Sequence, residues 1–72
     1  MQLPQRVLIS REGSDGDDFG FVTTIPHVGQ SLQMFLDTGK VMRTSTVTHV
    51  EDHGEELVVD TQNSRYHLKL AA

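Results

Sequence analysis

The C-terminal half of the chain alternates apolar and polar residues between sharp turn signals, and this confines it to antiparallel strands. Two β-rich runs flank Asp52-His53-Gly54, and the second folds back at Gln62-Asn63 into Ser64-Arg65-Tyr66-His67-Leu68-Lys69-Leu70. Side chains on a strand repeat every two residues, so alternation interrupted by turn formers marks a meander. The last hairpin is legible to its register. A turn at Gln62-Asn63 sets Asp60 against Arg65, Val59 against Tyr66, Leu57 against Leu68 and Glu56 against Lys69. Apolar pairs then share one face and opposite charges the other, and a slip of one residue would destroy both patterns.

Upstream, Asp37-Thr38 suits a type I turn and Gly39 the left-handed position after it, which sets Met34 against Met42 and Leu32 against Thr44. These turns predict strands over residues 31–36, 40–51, 55–61 and 64–70. The strand over 40–51 contains a conflict of phase. Leu32, Met34, Leu36 and Met42 point one way, yet a three-residue turn at Asp52-His53-Gly54 pairs Val47 with Val59 and His49 with Leu57, turning odd-numbered residues inward. A β-bulge within Thr44-Ser45-Thr46 resolves the conflict and bends the strand so that it serves both halves of a barrel. The competing register is a two-residue turn at His53-Gly54, with Thr44, Thr46, Thr48 and Val50 inward. It needs no bulge, but it sets Glu51 against Glu56.

In the N-terminal half, residues 6–11 form a strand carrying Val7, Leu8 and Ile9, and residues 19–25 form another with Phe19, Phe21, Thr23 and Ile25 on one side. Gly13-Ser14-Asp15-Gly16-Asp17-Asp18 between them is an acidic turn, and Pro26 closes the second strand. No repeat and no amphipathic helix is apparent. The expected fold is all-β: a single domain over residues 1–72, either a small SH3-like barrel or a curved antiparallel meander of five to six strands. A chain of 72 residues is near the lower limit for an unaided hydrophobic core, and without cysteine it has no covalent staple. The core is therefore compact, or shared with another chain. Absence of cysteine also excludes thiolate catalysis and thiolate zinc sites. No apolar run is long enough for a signal peptide or a membrane span, so the expectation is a cytoplasmic protein without membrane contact.

Ten carboxylates against six Lys and Arg give a formal charge of −4, which argues against a polyanionic partner. A nucleic-acid-binding face would need Arg43 and Lys40 to head a continuous basic surface, because Arg65 and Lys69 already answer Asp60 and Glu56 across the hairpin. With no Trp, one Tyr and three Phe, surface for base stacking is also scarce. The acidic turn lacks the ligand spacing of an EF-hand, and His27, His49, His53 and His67 match no metal-ligand pattern. No metal and no cofactor is expected. Neither a glycine-flanked serine elbow nor a phosphate-binding glycine loop occurs, and a barrel this small leaves little substrate cavity, so no enzymatic activity is expected either.

The remaining candidates are Thr44, Ser45, Thr61, Asn63, Ser64 and Tyr66. The register gathers these hydroxyls and one amide at an end of the sheet, where they would bind a small polar ligand or a peptide backbone. The competing structural role gives Asn63 a positive-φ turn position, leaves Thr and Ser to satisfy backbone at turn and bulge, and has Tyr66 plug the barrel. Thr44-Ser45-Thr46-Val47-Thr48-His49-Val50 followed by Val59-Asp60-Thr61-Gln62-Asn63-Ser64-Arg65-Tyr66-His67-Leu68 resembles a pattern in short bacterial and phage-borne proteins. In those, a Thr-Ser-x-Val strand precedes a Thr-x-Asn-Ser-x-Tyr-x-Leu hairpin. The resemblance covers about the last third of the chain and implies no activity. Pro26-His27-Val28-Gly29-Gln30-Ser31-Leu32 is similar to the approach to a strand in many SH3-like barrels, which bears on architecture alone. The expected role is a non-enzymatic binding or regulatory module acting through a protein partner, including a homo-oligomer. Its rivals are a small nucleic-acid-binding barrel and a small-ligand or nucleotide sequestering protein.

Overall fold

Left-handed glycines and short polar turns divide the chain into six strands. The computed structural model describes residues 2–71. β1 (Gln5–Arg11), β2 (Asp17–Val22), β3 (Ser31–Leu36), β4 (Val41–Asp52), β5 (Glu56–Thr61) and β6 (Arg65–Leu70) succeed one another with no helix among the described residues. Each strand pairs antiparallel with the next, and β6 returns to β1, so the meander closes into a barrel. The closing seam sets Val7 opposite Leu70 and Ile9 opposite Leu68. A closed barrel has no edge strand, although β2 and β3 share only the three pairs from Gly20–Leu36 to Val22–Met34.

The β5–β6 hairpin has the predicted register at every pair, from Glu56 opposite Lys69 to Asp60 opposite Arg65. Met34 likewise faces Met42, and Gly39 takes the predicted left-handed position with φ of 92°.

β4 departs from both registers considered, because it carries two bulges rather than one. The first lies where expected. Ser31 pairs with Thr46 and Gln33 with Arg43, which leaves an extra residue at Thr44-Ser45 opposite Leu32. The Thr44 hydroxyl fills the gap by accepting the Leu32 N–H at 3.0 Å. The second bulge is at Thr48, between the Val47–Thr61 and His49–Asp60 pairs. Val59 therefore lies opposite Val50, and Leu57 opposite Asp52, instead of opposite Val47 and His49. Thr44, Val47 and Val50 turn inward in succession while His49 is exposed.

The reversal after β4 also comes later than expected, at Gly54-Glu55. His53 donates its N–H to the Glu56 carbonyl at 2.8 Å, and the Asp52 carboxylate accepts the Gly54 N–H at 2.8 Å. Such a two-residue loop needs positive φ at its first position, which Gly54 supplies at 87°. Glu51 consequently faces Val58, and the like-charge contact with Glu56 is avoided.

The core is almost wholly aliphatic. Val7, Ile9, Val22, Leu32, Met34, Val47, Leu57, Val59 and Leu68 fill it, with Tyr66 as its one aromatic side chain. β2 is shorter than predicted, stopping at Val22. Phe19 and Phe21 do share a side, but it is the outer one, and Gly20 and Val22 face inward. Glycine is required at position 20 by contact: a Cβ there would lie 2.5 Å from the Phe35 carbonyl oxygen. Gly20→Ala is expected to destabilise the barrel by about 1–3 kcal/mol, since backbone must move to relieve the overlap. That is a large part of the total, about 4–11 kcal/mol for 72 residues. Urea denaturation reads it directly, and an unchanged midpoint would mean that β2 and β3 part without cost.

Candidate functional site

The Thr44, Ser45 and Thr61 hydroxyls do converge, and they bond to one another and to nearby backbone. Ser45 Oγ donates to Thr61 Oγ1 at 2.8 Å and accepts the Asn63 N–H at 3.2 Å. Thr61 Oγ1 donates to the Ser64 carbonyl and accepts the Ser64 N–H, both at 3.1 Å. Thr44 donates to the Ser45 carbonyl at 2.7 Å. These side chains satisfy groups that the bulge and the turn leave open, as in the competing structural role. Asn63 does not take a positive φ, because every positive φ among the described residues belongs to glycine. Its backbone N–H ties the turn to Ser45, while its side chain is exposed and makes no hydrogen bond among the described residues.

Tyr66 belongs to a different feature. At the barrel end formed by the β1–β2 turn, a cleft of about 320 Å³ is lined by Ile9, Arg11, Ser14, Asp15, Gly16, Asp18, Met42, Arg43 and Tyr66. Tyr66 is only 7% exposed, and its hydroxyl makes no hydrogen bond among the described residues. Among the described residues no buried side-chain polar atom is left unsatisfied, so the phenol reaches solvent, and the cleft it lines is the route. Arg11 rests on the Ser14 hydroxyl at 2.7 and 3.2 Å. The cleft draws on residues far apart in the chain, and only Tyr66 and Arg43 among the sequence candidates reach it.

All three phenylalanines lie on one outer face. Phe21 is paired with Phe35, and Phe35 with Val41, in a row across β2, β3 and β4, with Phe19 adjoining along β2. Phe19, Phe21, Phe35 and Val41 are 46%, 37%, 39% and 54% exposed. At the margin, the Arg6 guanidinium lies 5.0 Å from the Phe19 ring centre and 5.5 Å from that of Phe21. The same group grips both Asp37 oxygens, at 2.7 and 3.3 Å. Arg43 is on this outer side opposite Gln33, and Lys40 is in the turn beyond Asp37.

The opposite wall of the barrel is polar. His67 Nδ1 lies 2.7 Å from Glu56, and its Nε2 lies 3.5 Å from Glu12. The hydrogen bond to Glu56, assisted by Glu12, pushes the His67 pKa up. Glu56 and Lys69 are opposite in register, but the carboxylate turns to the imidazole. Arg65 bridges Asp60 at 2.6 Å and Glu12 at 3.7 Å, and its bond holds the Asp60 carboxyl below the usual range. His53 and His49 flank Glu51 at 3.3 and 3.4 Å and lower its pKa. Among the described residues, no three His, Asp or Glu are placed to hold a metal ion, and no helix is long and apolar enough to cross a membrane.

The fold and these surfaces define a closed six-strand antiparallel barrel with an aromatic outer face and a charged end cleft. No protein-family model, curated protein or solved structure matches the chain.

Two measurements test the site. Thr61→Val, which strips the hydroxyl from three hydrogen bonds at a buried turn, should cost about 1–3 kcal/mol, and Asn63→Gly no more than about 1 kcal/mol through unfolded-chain entropy. The reverse order in chemical denaturation would place the Asn63 side chain in the network. His67 binds its proton more tightly folded than unfolded, so its contribution is complete below the ordinary histidine value of 6.5 and is lost as pH rises through the folded value. The melting temperature should therefore fall as pH rises above the ordinary histidine value of 6.5, with a shallower slope in Glu56→Gln. Equal slopes in the two proteins would remove Glu56 as the cause.

Proposed function

We propose that this chain is a non-enzymatic binding module that engages a protein partner through the outer face of β2 and β3. The observation carrying the reading is the unbroken row Phe21, Phe35, Val41 with Phe19 beside it. Apolar side chains scattered singly on a surface are ordinary, but a contiguous aromatic group rimmed by charge marks a contact surface. Partially exposed aromatics beside an arginine are also the composition of interface hot spots. Because the barrel has no free edge, a partner meets side chains rather than adding a strand.

Charge favours protein over nucleic acid here. Arg6 is bound to Asp37 and covers the Phe19 and Phe21 rings that a base would stack on, and Asp17 and Asp18 open the same strand. A second copy of the chain fits this chemistry. Arg6 and Asp37 stand side by side at the margin, so a two-fold contact can set each against its opposite in the other copy.

Native mass spectrometry of the chain taken from its source cells tests the proposal. The wild type should carry a bound protein, a second copy included, above the mass of the 8.0 kDa chain, and Phe21→Ser with Phe35→Ser should lose it. Each such change at a hot spot costs about 2 kcal/mol or more, roughly thirtyfold in affinity. Both side chains point outward, so the doubly substituted barrel should keep its circular dichroism spectrum. A wild type found only as bare monomer refutes the reading, and a co-purifying oligonucleotide lost on the same substitutions replaces it with nucleic-acid binding.

A further inference from the structure

The six Lys and Arg residues are not equally committed. Of the four arginines, Arg6 is paired with Asp37, and Arg65 with Asp60 and Glu12. Arg11 and Arg43 make no ion pair among the described residues, and both line the end cleft. The cleft also receives the Tyr66 phenol, a side chain more than nine-tenths buried whose hydroxyl has no partner among the described residues. The hydroxyl itself reaches solvent through the cleft, so its proton is free to be donated to a ligand there. Two guanidinium groups without a carboxylate partner and a phenol surround one opening; Arg11 spends two of its nitrogens on Ser14, and the acceptor that matches the donors left over is an oxyanion.

We infer that this cleft binds a small phosphate ester of mononucleotide size, with its phosphate held by Arg11, Arg43 and the Tyr66 hydroxyl. The other cleft residues fix the rest of the ligand. Ile9 and Met42 provide an apolar surface for a ring, and the Asp15 and Asp18 carboxylates require N–H or O–H donors facing them. A bare anion would meet those carboxylates unfavourably, whereas the base and ribose of a nucleotide supply the donors. Ser14 already accepts from Arg11 through its hydroxyl and keeps that guanidinium at the cleft wall. The volume, about 320 Å³, is at the small end of ligand sites, which run from about 300 to 1,000 Å³. It is of a size for one nucleotide, and a protein of charge −4 repels longer polyanions. The inference is independent of the aromatic docking face.

The test is an NMR titration of the intact chain, isotopically labelled, with the four common ribonucleoside monophosphates. Inorganic phosphate and adenosine form separate arms. At least one monophosphate should shift the amides of Ser14, Gly16, Arg43 and Tyr66 in a saturable way. Tyr66→Phe and Arg43→Gln should each weaken it about tenfold or more, and Arg65→Gln should leave it unchanged. Tyr66→Phe removes no bond made among the described residues, so its spectrum should otherwise match the wild type. Saturable shifts for no monophosphate would overturn the inference, as would binding that survives both cleft substitutions. Adenosine binding as tightly as its monophosphate would remove the phosphate from recognition, and inorganic phosphate binding as tightly would remove the nucleoside.

Discussion

The hydrogen-bonded seam between β1 and β6 is the contact on which the rest of this structure depends. It joins residues more than fifty positions apart, and it turns an open meander with two exposed edges into a barrel with none. Closure also limits the interior. A barrel's width grows with strand number, and six strands enclose less space than the eight of the common small barrels. The core is accordingly Val, Leu, Ile and Met, and Tyr66 is admitted only where it reaches the mouth. Width accounts for the absence of phenylalanine inside. It does not account for phenylalanine outside, where threonine would serve a strand as well, and the proposed contact surface gives the outer row a reason.

Charge is distributed by task rather than by sequence position. Arg6 fastens the β3–β4 turn to β1 through Asp37, and Arg65 fastens β6 to β5 and to the β1–β2 turn. Glu12 in that turn meets Arg65 and His67 through its side chain and donates its N–H to the Arg65 carbonyl at 2.9 Å. The turn bearing Ser14, Asp15 and Gly16 is thereby held against β6, and the wall of the cleft has a defined position. The arginines left over from this fastening are the two that line it.

How much of this was legible in the sequence depended on whether side chains marked the backbone event. The β5–β6 register was, because Asp60, Arg65, Glu56 and Lys69 label one face while Val59, Tyr66, Leu57 and Leu68 label the other. The first bulge was legible from the change of phase between Met42 and Val47. The second, at Thr48, left no mark: a bulge inserts a residue into the ladder without requiring any particular side chain, and Thr48 suits either face. The orientation of β2 was hidden for another reason. Phe19-Gly20-Phe21-Val22 alternates large with small apolar residues, and period two separates its faces without saying which is inside. Asn63 looked like a left-handed turn former by residue type alone, yet the Ser45 and Thr61 hydroxyls hold the turn in ordinary backbone geometry. The cleft was beyond sequence reading, because closure alone brings Arg11, Arg43 and Tyr66 together.

The seam has a topological consequence as well. Ala71 donates its N–H to the Arg6 carbonyl at 2.9 Å, and the Gln5 side chain returns a hydrogen bond to the Ala71 carbonyl at 3.0 Å. The two ends of the described chain thus leave the barrel side by side, on the rim opposite the cleft. A short linker could join them and new termini be opened in another turn, giving a circular permutant with the same ladder. The barrel could equally be spliced into a loop of a host protein as a single insert. In either arrangement the attachment lies at one pole, and the cleft at the other faces away from whatever carries it.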